Sequence, residues 1–361
     1  MKTNVIRVCA LALLLSACSQ PGQPSASSAN VSAAPTAANV VAPAAADAAD
    51  TTTKVVAAAE AFLATLDDAQ RAKVSFEYTN ETQRKLWSNL PAPMVQRAGL
   101  RMGDLSAAQQ AAAMNVVAAT LSKRGYQHVV DQVAADEVLK STAGGGNLIF
   151  GKDEYYISFL GKPSATSAWM WQFGGHHLAV NATIVGKSIT LAPSLTGGQP
   201  TQFQQNGQTV RTIGEDSDAA FKLINALDAT QQKKAIIGAQ YIDLVLGPGQ
   251  DGKVMQTEGI KGSDLTAEQQ TLLLDLINQR VNLLNDEDTA AQMATIKTNL
   301  AETYFAWSGP TAAGSASYYR VQGPTVIVEF SPQSIGGSAT NHIHAMFRDP
   351  TNDYGAAWAK P

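Results

Sequence analysis

Gly99-Leu-Arg-Met-Gly-Asp-Leu-Ser-Ala-Ala-Gln-Gln110 recurs at an offset of 160 as Gly259-Ile-Lys-Gly-Ser-Asp-Leu-Thr-Ala-Glu-Gln-Gln270. In both copies a hydroxyl residue (Ser106, Thr266) stands three places before a glutamine (Gln109, Gln269). That spacing is a capping box: the hydroxyl accepts a backbone amide, the glutamine reaches back, and a helix starts. Leu66-Asp67 with Gln70 repeats as Leu227-Asp228 with Gln231, and Tyr156-Ile-Ser-Phe-Leu-Gly161 returns as Tyr304-Phe-Ala-Trp-Ser-Gly309. Continued without a gap, the last register sets Gly175 against Gly323, His177 against Thr325 and Asn181 against Glu329. The matches keep one order, helices first and strands after. They predict an α+β chain: an internally duplicated helices-then-antiparallel-sheet unit, with copies at about 55–200 and 215–361, forming one pseudo-two-fold domain.

Around these blocks, Val55, Ala59, Phe62, Leu63 and Leu66 predict a helix from Lys54, and Ser106 opens a longer one to about Lys123. Strands are expected at Glu154–Leu160, Ala168–Phe173, His176–Val185 and Ser188–Leu191, with Gly174-Gly175 as one of the turns. At the N-terminus, Lys2 and Arg7 form a positive stretch ahead of a short apolar run, Val8–Leu15. A bilayer-spanning helix needs roughly 20 apolar residues, so residues 1–17 read as a signal peptide. Leu15-Ser-Ala-Cys18 resembles the lipobox of bacterial lipoproteins, which implies cleavage before Cys18 and acylation of its thiol. Ser19 follows it, and the expectation is a lipid-anchored envelope protein on the outer membrane, facing the periplasm. Residues 18–53, rich in Ala, Ser and Pro and without periodicity, read as a disordered tether.

The 361 residues are 45% hydrophobic and 16% charged with a net charge of -4, enough chain for a substantial core and no basic face for nucleic acid. With Cys9 in the signal peptide and Cys18 acylated, no thiol is left as staple, nucleophile or ligand. Nucleophile-elbow, phosphate-loop, His-Glu-x-x-His and dinucleotide motifs are missing too. Chemistry therefore falls to imidazole, carboxylate and hydroxyl groups. Four of the five histidines sit in two short segments: His176 and His177 within Trp169–Asn181, and His342 and His344 within Asn341–Phe347. Histidines at i and i+2 on a strand bring both imidazoles to one side. Adding His177 or His176, and the carboxylate of Glu329, gives a three-nitrogen, one-oxygen set suited to Zn, Mn, Fe or Cu. A neutral imidazole there would equally serve as a general base. Strand alternation groups Asn181 with His177, and Arg348 and Arg320 are candidates to clamp an anionic group of a small-molecule ligand. The competing reading is a structural network of imidazoles bonded to carbonyls, and the isolated His128 reads as structural.

Trp171-Gln-Phe-Gly-Gly-His-His-Leu178, Tyr318-Tyr-Arg-Val-Gln-Gly-Pro324, Asn341-His-Ile-His344, Arg348-Asp-Pro350 and Asn352-Asp-Tyr-Gly355 resemble the hallmark blocks of the DUF3500 family. The resemblance runs from about residue 55 to the C-terminus. It implies that these blocks belong together in one fold, and it implies no particular reaction. The functional expectation is a metal-dependent enzyme of the envelope, a hydrolase or oxidase. The alternatives are a metal- or small-ligand-binding lipoprotein without turnover, or a structural envelope protein.

Overall fold

All four capping boxes form with both reciprocal bonds, at Asp67–Gln70, Ser106–Gln109, Asp228–Gln231 and Thr266–Gln269. The structure, a computed structural model, describes residues 50–143 and 147–359. The expected signal peptide, Cys18, the expected tether up to residue 49 and the glycine run 144–146 lie outside the described residues. In the first half the chain forms α1 (Asp50–Ala64), α2 (Asp68–Val74), β1 (Ser75–Phe76), α3 (Glu81–Arg84), β2 (Leu100–Arg101), α4 (Ala107–Thr120) and α5 (Lys123–Thr142). Strands β3 (Tyr156–Leu160), β4 (Trp169–Gly175), β5 (Leu178–Val185), β6 (Ser188–Thr190) and β7 (Ser194–Gly198) follow. A small hairpin, β8 (Gln202–Gln205) and β9 (Gln208–Arg211), leads to the second half. There the order is α6 (Gly214–Ala226), α7 (Ala229–Ala235), β10 (Ile236–Gly238), β11 (Ile260–Lys261), α8 (Ala267–Val281) and α9 (Asp286–Thr298). It ends with β12 (Tyr304–Ser308), β13 (Tyr318–Gly323), β14 (Val326–Pro332) and β15 (Ile343–Arg348).

Two helix boundaries differ from expectation. The first helix begins at Asp50 rather than Lys54, and the helix expected to reach Lys123 stops at Thr120. The break follows from Ser122, whose hydroxyl accepts the Gly125 amide at 2.9 Å and starts α5 afresh.

The fold is α+β, with helices laid against a mixed, mostly antiparallel sheet. That sheet runs through both halves in the order β1-β3-β4-β5-β7-β15-β14-β13-β12-β10. Each edge repeats the other's pattern: β1 is parallel to β3 and β10 to β12, while β2 and β11 pair antiparallel with the same two strands. One face carries two apolar clusters under the helices, with Trp169, Trp171 and Phe173 in the first and Trp307, Tyr319 and Phe330 in the second. The other face is more polar and is covered by the segments 77–99 and 239–259, through Trp87, Leu246 and Met255.

The turn between β4 and β5 is not Gly174-Gly175 but His176-His177, because the ladder continues to the pair Gly175–Leu178. At these two strand positions the packing leaves room only for glycine. A Cβ on Gly174 would stand 2.6 Å from the Leu178 carbonyl oxygen, and one on Gly175 would stand 2.8 Å from the Tyr155 ring. His177 takes the left-handed conformation of the turn, φ +58°.

Strand β7 then brings the histidine segments together. It pairs with β5 at Thr196–Leu178 and with β15 at Gly197–His344, so the β4–β5 turn abuts the start of β15.

Candidate metal centre

His177, His342 and His344 converge. Nε2 of His177 lies 2.9 Å from Nε2 of His342, which lies 3.2 Å from Nε2 of His344. One nitrogen from each of the three falls within 4.8 Å of the others. Imidazole nitrogens about 2.0–2.1 Å from one ion stand about 2.9 Å apart at a right angle and about 3.3 Å apart at the tetrahedral angle. Two sides of the triangle already have that length, and an ion would draw in the widest pair by at most roughly 1.5 Å.

Local structure fixes each ring. The His177 amide donates to the Asn89 carbonyl at 3.1 Å and its carbonyl accepts from Gly197 at 2.8 Å, which pins the turn on both sides. A Cβ on Gly197 would lie 3.2 Å from the His177 side chain and 2.7 Å from the Ile343 carbonyl oxygen, so glycine gives the ring its room. His342 Nδ1 lies 2.5 Å from the Ile335 carbonyl oxygen. A carbonyl only accepts, so Nδ1 carries the proton and Nε2 presents its lone pair to the other two rings. Asn89 Nδ2 is 3.3 Å from both ring nitrogens of His344 and caps that ring without choosing a tautomer. Arg97 steadies the covering loop by donating to the carbonyls of Val95, Ser88, Leu90 and Gly175.

All three imidazoles are buried, with exposures of 1% for His177, 8% for His342 and 6% for His344. Burial, reinforced by the neighbouring histidines, holds His177 well below the usual imidazole range and pushes His344 down to about 3. Burial lowers His342 as well, against the Ile335 carbonyl, which favours its charged form. The cluster is neutral at physiological pH, the form in which imidazole binds metals.

His176 stands beside the cluster. Its ring stacks on His177 at 3.7 Å between centroids, and its Nδ1 lies 2.6 Å from Oδ1 of the buried Asp136 on α5. Phe150 packs on the same ring at 4.9 Å. His176 thus supports the His177 ring rather than joining the three-nitrogen group.

The other expected site residues are elsewhere. The Glu329 carboxylate accepts the amides of Val245 and Leu246, both at 2.8 Å, and the Tyr318 hydroxyl at 2.6 Å. It anchors the 239–259 segment and supplies no oxygen to the histidines. Glu329 pairs with Met346, two residues along β15 from His344, so alternation gives it the right face but a place further along the sheet. Asn181 likewise lies further along β5 from the turn, bridging Gln172 (3.0 Å) and the Pro193 carbonyl (2.9 Å). Arg348 donates to the Leu246 carbonyl, Asp251 and Asp353, and Arg320 to the Gln256 carbonyl and Glu258. Both arginines hold covering segments, and neither reaches the histidines. His128 is buried, and burial together with Arg280 and Arg124 keeps it well below the usual imidazole range.

Residues that sequence reasoning missed complete the surroundings: Asp136, Asn89, Phe150 and the Ile335 carbonyl. Next to them in the chain are large apolar side chains open to solvent, Ile335 itself at 77%, Leu90 at 38% and Ile149 at 53%. Three segments that touch the histidines thus present apolar residues outward.

The profile of the family described as "Protein of unknown function (DUF3500)" matches residues 48–356, and the chain belongs to that family. No curated protein and no solved structure shows a significant match to the chain.

Proposed function

For this member of the DUF3500 family, we propose a metal-dependent enzyme of the cell envelope, a hydrolase or oxidase, in which His177, His342 and His344 hold one divalent transition metal. The observation that carries the reading is the His342 imidazole: its Nδ1 is committed to the Ile335 carbonyl and its bare Nε2 faces two more neutral imidazoles. A carbonyl behind a ligand imidazole is the usual way a protein orients it and raises its basicity. An all-imidazole donor set suits Zn, Cu and Fe, and Mn less well. Three protein ligands leave a position on the ion for water or substrate, where the ion acidifies the water or polarises a bound oxygen. The apolar side chains around the three segments favour a substrate with an apolar part.

One observation favours a second reading, metal holding without turnover: none of the three rings is more than 8% exposed. Turnover of a panel of ester, amide and phenolic substrates, before and after chelation, separates the two. Turnover lost on chelation and regained with metal supports the enzyme. Stoichiometric metal with no turnover across the panel supports the carrier. Anchoring through Cys18 belongs to the same proposal, resting on Leu15-Ser-Ala-Cys18. Cys18→Ser should abolish labelling by a radioactive fatty acid, and undiminished labelling would end that reading.

A further inference from the structure

A cavity of about 240 Å³ opens where α9, β6, the β13–β14 turn and the segment after β15 meet. It is separate from the histidines: Asp349 on its wall lies five residues beyond His344, roughly 16 Å along an extended strand. Among the described residues, two acids, Asp288 and Asp349, line it and no Lys, Arg or His does. Asp288 accepts the Ile189 amide at 3.0 Å and Asn285 Nδ2 at 2.8 Å. Asp349 takes both bonds donated by Thr351 on a single oxygen, at 2.9 and 2.8 Å. Burial pushes each carboxyl up to about 6, against the hydrogen bonds that favour ionisation. Asp349 is buried and Asp288 half-buried; carboxylates withdrawn from water without a counter-charge are costly, and in a concave site they mark a place where a ligand supplies it.

A second observation is independent of the acids. Thr325 lines the same cavity at 3% exposure, and its hydroxyl has no hydrogen-bond partner. A buried hydroxyl left unpaired costs about 1–3 kcal/mol unless something else bonds it. Thr325 is also the second residue of the two-residue turn joining β13 to β14, the place His177 holds between β4 and β5. The second half thus carries a cavity at the turn that bears the histidines in the first.

We propose that this cavity binds a small amine-bearing polyol no larger than one sugar ring, its ammonium held by Asp288 and Asp349 and its hydroxyls by Thr325 and the neighbouring threonines. The volume is below the roughly 300 Å³ at which ordinary ligand pockets begin, which limits the ligand to about one ring. Trp358 on the wall offers an aromatic surface suited to a ring or a cation. A bare divalent cation fits less well. Among the described residues, the only group of three or more metal-capable side chains within reach of one another is the histidine cluster. Two carboxylates alone leave calcium far short of its six to eight oxygens.

The test is calorimetric titration of the full mature chain at pH 7.5 with 2-amino-2-deoxyglucose, glucose, ethanolamine and calcium chloride. The amino sugar should bind at least ten-fold more tightly than glucose or ethanolamine. Asp349→Asn should weaken it at least ten-fold. Ala291→Phe, which fills the cavity from an exposed position on α9, should do the same with the thermal transition unchanged. Equal binding of glucose, preference for calcium, no binding of any probe, or amino-sugar binding indifferent to both variants would each overturn the proposal.

Discussion

His342 owes its place to a backbone carbonyl. Once Ile335 fixes the proton on Nδ1, the other nitrogen has only its lone pair to offer, and it faces two more imidazoles. Asp349 shows the same dependence on surroundings through its charge. Burial raises its carboxyl to about 6, so folding favours the protonated form. That stability is full below the unfolded value of about 3.9 and is lost as pH rises through about 6. Asp349→Asn keeps an acceptor for Thr351 and removes the titration. Measured by urea unfolding, the variant should gain about 1–3 kcal/mol on wild type between pH 4 and pH 8, and a pH-independent difference would contradict the buried charge. At this scale the histidines were legible because four of five cluster in the sequence. The Ile335 carbonyl was not, since a backbone group leaves no mark in residue type. Asp136 left a faint one: His128, Gln132 and Asp136 recur every fourth residue and share the buried face of α5.

The starts of α2, α4, α7 and α8 were readable because a capping box is a local bargain between four residues. The turn at His176-His177 was not, because what holds Gly174 and Gly175 in the strand is their pairing with Ala179 and Leu178 across the ladder. A shift of two residues leaves the alternation intact, so Asn181 and Glu329 do share a face with His344; they lie further along their strands, where other partners take their side chains. Glu329 instead fastens the 239–259 segment to β14. Glu329→Gln turns an acceptor into a donor facing two amides, and should cost about 2–4 kcal/mol in chemical unfolding while leaving bound metal unchanged. Loss of metal at full stability would restore Glu329 as a ligand. Gly197→Ala tests the opposite case: its methyl would press on the His177 ring, so metal affinity should fall at least ten-fold with the helices retained by circular dichroism.

Over the whole molecule, the repeated blocks anticipated an α+β fold with helices ahead of antiparallel strands, and did not anticipate the parallel edge strands β1 and β10. A duplication, if the repeated blocks record one, predicts that β3–β5 superpose on β12–β14 with the β4–β5 and β13–β14 turns coincident, and a mismatch of those turns in an experimental structure would defeat it. What no repeat could announce is the joint. Strand β7 lies between β5 and β15, and only that arrangement sets His177 beside residues 165 and 167 positions further along the chain. The centre therefore exists only in the assembled molecule, and its metal content tests the account most directly. Purified wild-type protein, loaded and then desalted, should retain one transition-metal ion per chain by elemental mass spectrometry, and His344→Ala should retain at most a tenth of that. Wild type free of metal after loading, or His344→Ala still holding one ion per chain, would contradict it.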